Sequence, residues 1–326
     1  MRLATYHHAG RTRHGLVTGE MVQPIAAGDI WALLRGEEAA RPGGDPVALS
    51  EVELGPPVQP ATFRDFMTFE QHVEGTSKAM HDGGEAPAPW YQAPAFYFSS
   101  PYSMLGAFAD VPVPPGCHVF DFELEVAAVI GRAGRDLTPE QAASHIAGYT
   151  ILNDWSARDI QRQEMAVKLG PVKGKDSATT MGPYLVTPDE LAEFRRDGFY
   201  DLELEVSVND VVLGRDSLAN MAWSFEEMVA YASRGSWVMP GDVLGSGTCG
   251  TGCLVELWGR FGEAAHRPLL PGDRVTMSAQ GLGRISNQVV AGTEPVPIPA
   301  ARRRSYQVYQ VGVAAAPTGS TIAQRP

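Results

Sequence analysis

Apolar and polar residues alternate along several stretches of the chain, as expected for strands that bury one face. The clearest alternation sets Leu202, Leu204, Val206 and Val208 between polar residues. Residues 1–25 have the pattern of short strands broken by glycines. Further short strands are predicted at Glu123–Ile130, Tyr149–Leu152, Val243–Leu244, Leu254–Trp258 and Arg274–Ser278. The pattern therefore predicts a protein built mainly from short strands.

Helical patterns are fewer than strand patterns. Helices are predicted at Ile30–Leu34 and Thr138–Ala147, from a start within Phe63–Val73, and within Asp159–Leu169. The chain shows neither a doubly wound alternation of strands and helices nor a phosphate-binding glycine loop. These patterns predict a β-rich α+β fold, arranged as a roll or barrel with a few helices.

Glycine and proline divide the chain into segments. The stretch Arg41–Pro60 is rich in both, and it predicts a connection between a small N-terminal module, residues 1–60, and a main domain, residues 61–313. Residues 75–89 are mostly polar or small and form a candidate mobile loop or lid. The small and polar residues 314–326 are expected to be a disordered tail.

Charge and composition exclude several functions. The net charge of −12 argues against a nucleic-acid-binding surface, which needs basic residues. No stretch of about 20 apolar residues occurs, so we expect no membrane span. The three cysteines do not make a disulfide framework, which favours a reducing compartment and a cytoplasmic protein. Cys249 and Cys253 lack a second Cys or His pair, and we interpret them as small buried residues.

One pair of carboxylates stands out as candidate chemistry. Glu123 and Glu125 are separated by one residue, so in a strand both point to the same face. Clustered carboxylates repel one another unless a cation neutralises them, and hard divalent ions such as Mg²⁺ prefer oxygen ligands. Asp154 ends a predicted apolar strand and adds a third carboxylate. Glu203 and Glu205 have the same spacing, but the leucines beside them predict that both face water. Spacing alone leaves a metal site and a solvated face both open for Glu123 and Glu125.

Three other side chains are suited to catalysis. His72 stands alone beside the predicted lid, and a lone histidine is more often structural or exposed than catalytic. Lys175 follows a glycine-rich turn, where lysines are usually solvated. Glu256 lies in the apolar run Leu254–Trp258, so its carboxylate must be paired, have a raised pKa, or face outward. Taken singly, these residues leave both interpretations open.

Taken in order, several motifs resemble those of the fumarylacetoacetate hydrolase family, over about residues 1–300. The most specific is the run Asn153-Asp-Trp-Ser-Ala-Arg-Asp-Ile-Gln161. The other matching segments are Leu3–Tyr6 through Gly15–Val17, Arg64–Val73, Trp90–Tyr91, Phe96–Phe98, Asp121–Glu125, Gly174–Lys175, Ser246–Thr248 and Leu254–Leu257. The resemblance implies the family's mixed β-sandwich roll, with the small N-terminal module, and a homodimer.

The resemblance also implies a metal site and a catalytic group. The implied ligands for Mg²⁺, or for Mn²⁺ or Ca²⁺, are Asp65, Glu123, Glu125 and Asp154. His72 and Glu256 match the pair that activates water in the family's fumarylacetoacetases, and Lys175 matches a catalytic position that steadies an oxyanion. The ordered motifs therefore favour Glu123 and Glu125 over their counterparts at 203 and 205.

Substrate contacts are implied in the same way. Arg158, Gln161 and Thr248 match positions that hold the substrate's carboxylate and carbonyl oxygens. Met67 stands where the family commonly has a tyrosine that touches substrate, and Met165 occupies a position that favours an aromatic residue. Both methionines predict a more apolar distal pocket than fumarylacetoacetate itself requires.

The implied reaction is hydrolytic cleavage of a carbon–carbon bond in a small β-keto or β-diketo acid, such as fumarylacetoacetate or an acylpyruvate. Alternatives within the family are decarboxylases of oxaloacetate-like acids, and hydratases or isomerases of 2-oxo-enoic acids, which use the same metal site. A non-catalytic dimeric binding protein is a hypothesis of another class, and the full set of candidate ligands argues against it. Retention of both His72 and Glu256 favours the hydrolase.

Overall fold

The computed structural model describes residues 1–26, 30–35, 37–79 and 83–305. Residues 1–294 form one compact unit. Residues 295–305 contain no helix or strand. The predicted tail, 314–326, lies outside the described residues, as do residues 80–82 of the predicted lid.

The strands of the described residues are mostly short. In chain order they are β1 Arg2–His8, β2 Arg11–Thr18, β3 Met21–Pro24, β4 Val47–Ala48, β5 Glu53–Leu54, β6 Thr62–Phe66, β7 Phe96–Ser99, β8 Met104–Leu105, β9 Val111–Pro112, β10 Phe120–Asp121, β11 Leu124–Ile130, β12 Gly134–Arg135, β13 Ile146–Asp154, β14 Ser156–Ala157, β15 Thr179–Val186, β16 Arg195–Arg196, β17 Phe199–Tyr200, β18 Glu203–Val208, β19 Val211–Ser217, β20 Trp237–Val238, β21 Asp242–Gly245, β22 Arg274–Ala279 and β23 Gly283–Val290.

The helices of the same residues are short as well. They are α1 Ile30–Leu34, α2 Glu70–Ala79, α3 Pro139–Ala142, α4 Arg158–Ala166, α5 Val172–Lys175, α6 Phe225–Ser233 and α7 Leu254–Phe261. Short 3₁₀ helices lie at Leu49–Glu51, Ala88–Gln92, Ala143–His145, Pro188–Phe194 and Leu218–Asn220. Among the described residues, no helix combines the length and the hydropathy that a membrane span requires.

Two sheets organise the described part of the chain. The larger has twelve strands. Ten of them follow the order β4-β3-β2-β1-β15-β13-β11-β21-β6-β7, while β5 pairs with β1 and β8 pairs with β15. The smaller has five strands in the order β19-β18-β22-β23-β9. Strand β1 pairs antiparallel with β15, so the N-terminal strands extend the larger sheet. The pairing of β21 with β6 is parallel, which makes the larger sheet mixed. The β-rich α+β prediction is confirmed.

The centre of the larger sheet carries apolar side chains on both faces. Every residue of β11 and β13 is buried. Leu124, Val126 and Ala128 pack in one apolar cluster, whereas Ala127 and Val129 between them pack in another. A strand covered on both faces has a continuous apolar sequence, as in Val126–Ile130. These two strands form a rigid platform for residues at their ends.

Strand β18 confirms the interpretation of its alternating residues. Leu204 and Val206 are fully buried, whereas Glu203 is exposed. Glu205 accepts a hydrogen bond from Arg215 Nε at 2.7 Å on the partly exposed face. This second Glu-x-Glu pair therefore faces away from the core, as predicted.

The predicted strand Leu254–Trp258 is wrong, because this run lies in helix α7. A short apolar run fits a buried strand and a buried helix equally well. A distant residue decides between them: Asp121 accepts hydrogen bonds from the backbone N–H groups of Leu254 and Val255, at 2.8 and 3.0 Å. These bonds satisfy donors that the first turn of a helix leaves free.

Other helices also begin or end at different residues from those predicted. The helix expected from Phe63–Val73 is strand β6 followed by helix α2. Helix α2 runs to Ala79, so the first part of the predicted lid is helical. The helix expected at Thr138–Ala147 ends at Ala142, and after one 3₁₀ turn the chain enters β13 at Ile146. Thr138 caps this helix, in a capping box with Gln141.

Candidate active site

Four carboxylates converge at one end of the larger sheet. One oxygen from each of Asp65, Glu123, Glu125 and Asp154 lies within 4.8 Å of the others, and all four residues are buried. Asp65 is near the end of β6, Glu125 is in β11, and Asp154 ends β13. These strands belong to one sheet, in which β21 separates β6 from β11. We call these four residues the carboxylate cluster.

A glycine lets the carboxylates meet across β21. Gly245 pairs with Asp65 on one side and with Ala127 on the other. A Cβ atom at Gly245 would lie 2.6 Å from Asp65 Oδ1 and 2.9 Å from Glu125 Oε2, closer than real side chains allow. The absence of a side chain at this position is therefore a requirement of the cluster.

Burial and mutual repulsion change the protonation of the cluster. Burial, followed by the charge of Asp154, raises the pKa of Asp65 to about 7. Burial and the neighbouring charge of Asp65 raise the pKa of Glu125 well above its usual value. Glu123 differs: burial opposes ionisation, but the cations of Lys175 and Arg158 hold its pKa below the usual range. Without a cation, the cluster tends to retain protons.

The free oxygens of the cluster fit a divalent cation. Within the described residues, Asp65 Oδ1, Glu125 Oε1 and Asp154 Oδ1 are buried and have no hydrogen-bond partner. Buried carboxylate oxygens without partners carry a large desolvation cost. Hard cations such as Mg²⁺ bind oxygen donors of this kind, and they would remove both the cost and the repulsion. The donor set therefore suits a hard divalent ion.

Two groups donate hydrogen bonds to the outer side of the cluster. Lys175 Nζ, at the end of α5, lies 2.5 Å from Glu123 Oε2 and 2.8 Å from Asp154 Oδ2. Burial would lower the pKa of Lys175, but Asp154 and Glu123 raise it, so the ammonium stays charged. Tyr97 donates from its hydroxyl to Asp154 Oδ2 at 2.6 Å. The site prediction did not include Tyr97, although it pairs with Asp65 across β6 and β7.

Arg158 connects the cluster to helix α7. Its Nη2 donates to Glu123 Oε1 at 2.6 Å, its Nε to Asp121 Oδ2 at 2.8 Å, and its Nη1 to Gln161 Oε1 at 3.0 Å. The predicted substrate contact Arg158 therefore already has three acceptors within the protein. Asp121, a fully buried residue absent from the site prediction, holds both Arg158 and the first turn of α7.

His72 and Glu256 meet where two helices pack closely. His72 Nδ1, on α2, lies 3.3 Å from Glu256 Oε2, on α7. A Cβ at Gly75 would lie 2.3 Å from Glu256 Cγ, so only glycine allows this contact between the helices. The other oxygen, Glu256 Oε1, accepts from Arg260 Nε at 2.7 Å. The predicted pair is brought together, and Arg260 orients its carboxylate.

The pair adjoins the carboxylate cluster. Ligand atoms of His72, Glu123 and Cys253 lie within 4.8 Å of one another, and all three residues are buried. Glu123 therefore belongs to the carboxylate cluster and also borders the His72–Glu256 pair. A reacting group held by the cluster would lie next to an imidazole.

Two predicted substrate contacts lie in neighbouring loops. Met67 is 37% exposed in the segment between β6 and α2, and its carbonyl accepts from Trp90 Nε1 at 2.7 Å. Thr248 is buried in the segment after β21. The loops touch at Gly247, where a Cβ would lie 2.8 Å from Met67 Cα. One segment follows β6, which carries Asp65, and the other follows β21, the neighbouring strand.

Comparison with protein families gives this site its context. The family model described as "Fumarylacetoacetate (FAA) hydrolase C-terminal" matches residues 61–290. The chain belongs to the fumarylacetoacetate hydrolase family. A second model, described as "Rv2993c-like, N-terminal", matches residues 1–57. The predicted family and its fold type are therefore confirmed.

Relatives in the family have different activities. The fumarylacetoacetase of Arabidopsis thaliana is 30% identical over 284 residues, 71% of this chain and 67% of the relative. The oxaloacetate tautomerase YisK of Bacillus subtilis is 30% identical over 284 residues, 84% of this chain and 87% of the relative. A solved structure of an uncharacterized protein from Mycobacterium abscessus has a TM-score of 0.69 and 26% identity, covering 89% of this chain and all (100%) of that one. The chain is therefore related to enzymes that act on small keto acids. Its family membership does not distinguish hydrolysis from tautomerisation.

Proposed function

We propose that this protein is a divalent-cation-dependent hydrolase that cleaves a carbon–carbon bond in an acylpyruvate-like β-diketo acid. The observation that carries the proposal is the His72–Glu256 pair, 3.3 Å between Nδ1 and Oε2, next to the carboxylate cluster. Enolate chemistry alone needs a cation and a proton carrier. A base held by its own buried carboxylate suits the activation of water.

The carboxylate cluster would hold the cation, with Mg²⁺ as the proposed ion and Mn²⁺ or Ca²⁺ as alternatives. Its ligands would be Asp65, Glu123, Glu125 and Asp154. When bound, the cation would supply Lewis-acid stabilisation for the carbonyl and enolate oxygens of the substrate.

His72 would act as the general base. Its Nδ1 faces Glu256, which leaves Nε2 to take a proton from water as the water oxygen adds to the acyl carbonyl carbon. The bond between that carbon and the neighbouring carbon then breaks, and its electron pair becomes the enolate. Return of the proton from His72 gives the ketone product. Glu256, fixed by Arg260 at 2.7 Å, would stabilise the imidazolium between these steps.

Cationic and polar groups would hold the oxygens of the substrate. Lys175 is buried and charged beside Glu123 and Asp154, and would steady an oxyanion formed next to them. Gln161 accepts from Arg158 with Oε1, which leaves its amide N–H₂ group for a substrate oxygen. Arg158 would reach a substrate carboxylate only by giving up one of its present acceptors. Thr248 and Met67 would contact the rest of the substrate.

A second candidate activity is tautomerisation or isomerisation of an oxaloacetate-like or 2-oxo-enoic acid, with decarboxylation as a variant. The tautomerase relative supports it, because the match spans 84% of this chain and 87% of that one. This chemistry would use the same cation and a single proton carrier. It would not need a water molecule activated by the pair.

One experiment separates the two activities. Mg²⁺-loaded protein is given acetylpyruvate or oxaloacetate, and loss of enol absorbance is followed together with release of pyruvate or carbon dioxide. The hydrolase predicts cleavage of acetylpyruvate that falls at least about 100-fold in His72→Ala and Glu256→Gln. The partly exposed His145→Ala serves as a control and should cleave normally. If His72→Ala or Glu256→Gln cleaves acetylpyruvate as fast as the wild type, the role assigned to that residue is overturned.

We further propose a cytoplasmic homodimer. Cys117, Cys249 and Cys253 are free and buried, which supports a reducing compartment. Large apolar side chains are exposed at Phe98, Tyr102 and Phe108, by 57%, 90% and 52%, which supports a covered surface. Light scattering of purified protein should give twice the chain mass of 35.0 kDa, and a monomer at micromolar concentration would contradict the dimer.

A further inference from the structure

A sulfur ligand lies beside the hard-cation site. Cys253 Sγ is 3.7 Å from His72 Nδ1, and Glu123 offers a carboxylate oxygen that lies within 4.8 Å of Sγ and of one imidazole nitrogen of His72. Two ligands of a tetrahedral zinc ion, one sulfur and one nitrogen, are about 3.6 Å apart, given Zn–S and Zn–N bonds of about 2.3 and 2.0–2.1 Å. The spacing of the thiol and the imidazole therefore matches zinc.

The chemistry of these ligands differs from that of the carboxylate cluster. Sulfur and imidazole favour borderline ions such as Zn²⁺ and Co²⁺, whereas the oxygens of the cluster favour Mg²⁺. The thiol of Cys253 makes no side-chain capping bond at the start of α7. The N–H groups of that turn are held by Asp121 instead.

The net charge of the side chains around the site is negative enough to bind a second cation. The carboxylates and cations described above are Asp65, Asp121, Glu123, Glu125, Asp154 and Glu256 against Arg158, Lys175 and Arg260. With all of them ionised, six negative charges face three positive ones, and one divalent ion in the cluster still leaves a net negative charge. Glu123 would exchange one of its two cationic partners for the second ion, while Arg158 would keep Asp121.

We propose that His72, Glu123 and Cys253 form a second metal site, selective for zinc-like ions, that shares Glu123 with the carboxylate cluster. Cys253 binds as the thiolate, and its proton leaves to solvent. A metal bound there uses the imidazole nitrogen that faces Glu256, so zinc inhibits the enzyme while Mg²⁺ fills the cluster. The site itself is independent of the proposed hydrolase, and only its inhibitory consequence rests on that function.

The test uses Co²⁺ as a spectroscopic probe for zinc. One equivalent of Co²⁺ is added to the full-length protein saturated with Mg²⁺. The proposal predicts a near-ultraviolet band from thiolate-to-cobalt charge transfer and the intense visible bands of tetrahedral cobalt, both removed by Zn²⁺. Cobalt in the carboxylate cluster would not give the charge-transfer band, because that site has only oxygen ligands.

Three variants test whether Cys253 supplies the sulfur ligand. Cys253→Ser should lose the charge-transfer band, and Cys253→Ala should behave alike. The matched control Cys249→Ser, which removes another buried free thiol, should retain the band. Thermal unfolding confirms that each variant is folded. Absence of the band in the wild type, or its survival in both Cys253 variants, would overturn the site.

Inhibition provides a second reading of the same site. With saturating Mg²⁺, Cys253→Ser should need at least tenfold more Zn²⁺ than the wild type for half-inhibition of acetylpyruvate cleavage. Equal zinc sensitivity in the two proteins would overturn the inhibitory role. If cleavage is absent but the cobalt band appears and depends on Cys253, the metal site stands and the proposed hydrolase fails.

Discussion

Cation binding to the carboxylate cluster should depend steeply on pH, because Asp65 must lose a proton to become a ligand. The pKa of Asp65 is raised to about 7 by burial and by Asp154. Below that pH, each proton displaced lowers the apparent affinity about tenfold per pH unit, or about 1.4 kcal/mol. From pH 7 to pH 5, Asp65 alone should weaken Mg²⁺ binding about 50-fold. Glu125, whose pKa is also raised, adds to the slope.

The same proton should make the cation-free protein less stable as pH rises. The folded protein holds this proton up to about pH 7, whereas a carboxyl with the ordinary value of 3.8 has already lost it. Between those pH values the folded state binds more protons than the unfolded chain, so the free energy of unfolding falls with increasing pH. For Asp65 taken alone the loss is on the order of 4 kcal/mol. Saturating Mg²⁺ should remove this decline.

Calorimetric titration tests the pH dependence of cation binding, and urea unfolding of the cation-free protein at the same pH values tests the decline in stability. Mg²⁺ is titrated at several pH values between 5.5 and 8 in two buffers of different ionisation enthalpy, which gives the affinity and the number of protons released. The proton release should rise by almost one proton between pH 8 and pH 6 as Asp65 becomes protonated, in addition to any release from Glu125. Glu205→Gln, from the water-facing Glu-x-Glu pair, is the control and should bind as the wild type does. Affinity that is constant across this range, without proton release, would refute the reasoning.

Two substitutions test how the site is held. Asp121→Ala removes the acceptor for Arg158 and for two N–H groups of α7, and should lower the free energy of unfolding in urea by about 3–5 kcal/mol. The exposed Glu203→Ala should cost less than about 1 kcal/mol, and equal losses would contradict the role of Asp121. Gly75→Ala should force α2 from Glu256 and lower kcat about 100-fold while Mg²⁺ affinity is kept. Unchanged kcat would show that the contact between the helices is not needed.

The carboxylate cluster was predicted partly from strand periodicity and partly from the resemblance to the family. Strand spacing and a strand end make Glu123, Glu125 and Asp154 candidate ligands, but they leave a solvated face open, and Asp65 is implied only by the resemblance. Alternation predicts that Glu203 and Glu205 face water, because their leucine neighbours face the core. The ordered motifs of the family were still needed to favour Glu123 and Glu125. Strand patterns report burial, and burial distinguishes these two pairs.

The second half of the site depends on contacts between segments far apart in sequence. The apolar run around Glu256 predicts a strand, although Asp121 caps a helix there. Gly75 was placed in a lid, although it is the point where α2 packs against α7. A glycine in a polar run indicates a loop when only local propensity is used. Here its purpose is close helix packing, which appears only when the partner helix is known.

The central claim is that His72 activates water to cleave a carbon–carbon bond, and isotope incorporation tests it most directly. Mg²⁺-loaded protein is incubated with acetylpyruvate in H₂¹⁸O, and the acetate is analysed by mass spectrometry at early times. We predict pyruvate and acetate in equal amounts, with one solvent oxygen in each new acetate, and almost none from His72→Ala. Exchange between keto and enol forms without any acetate would contradict the hydrolase.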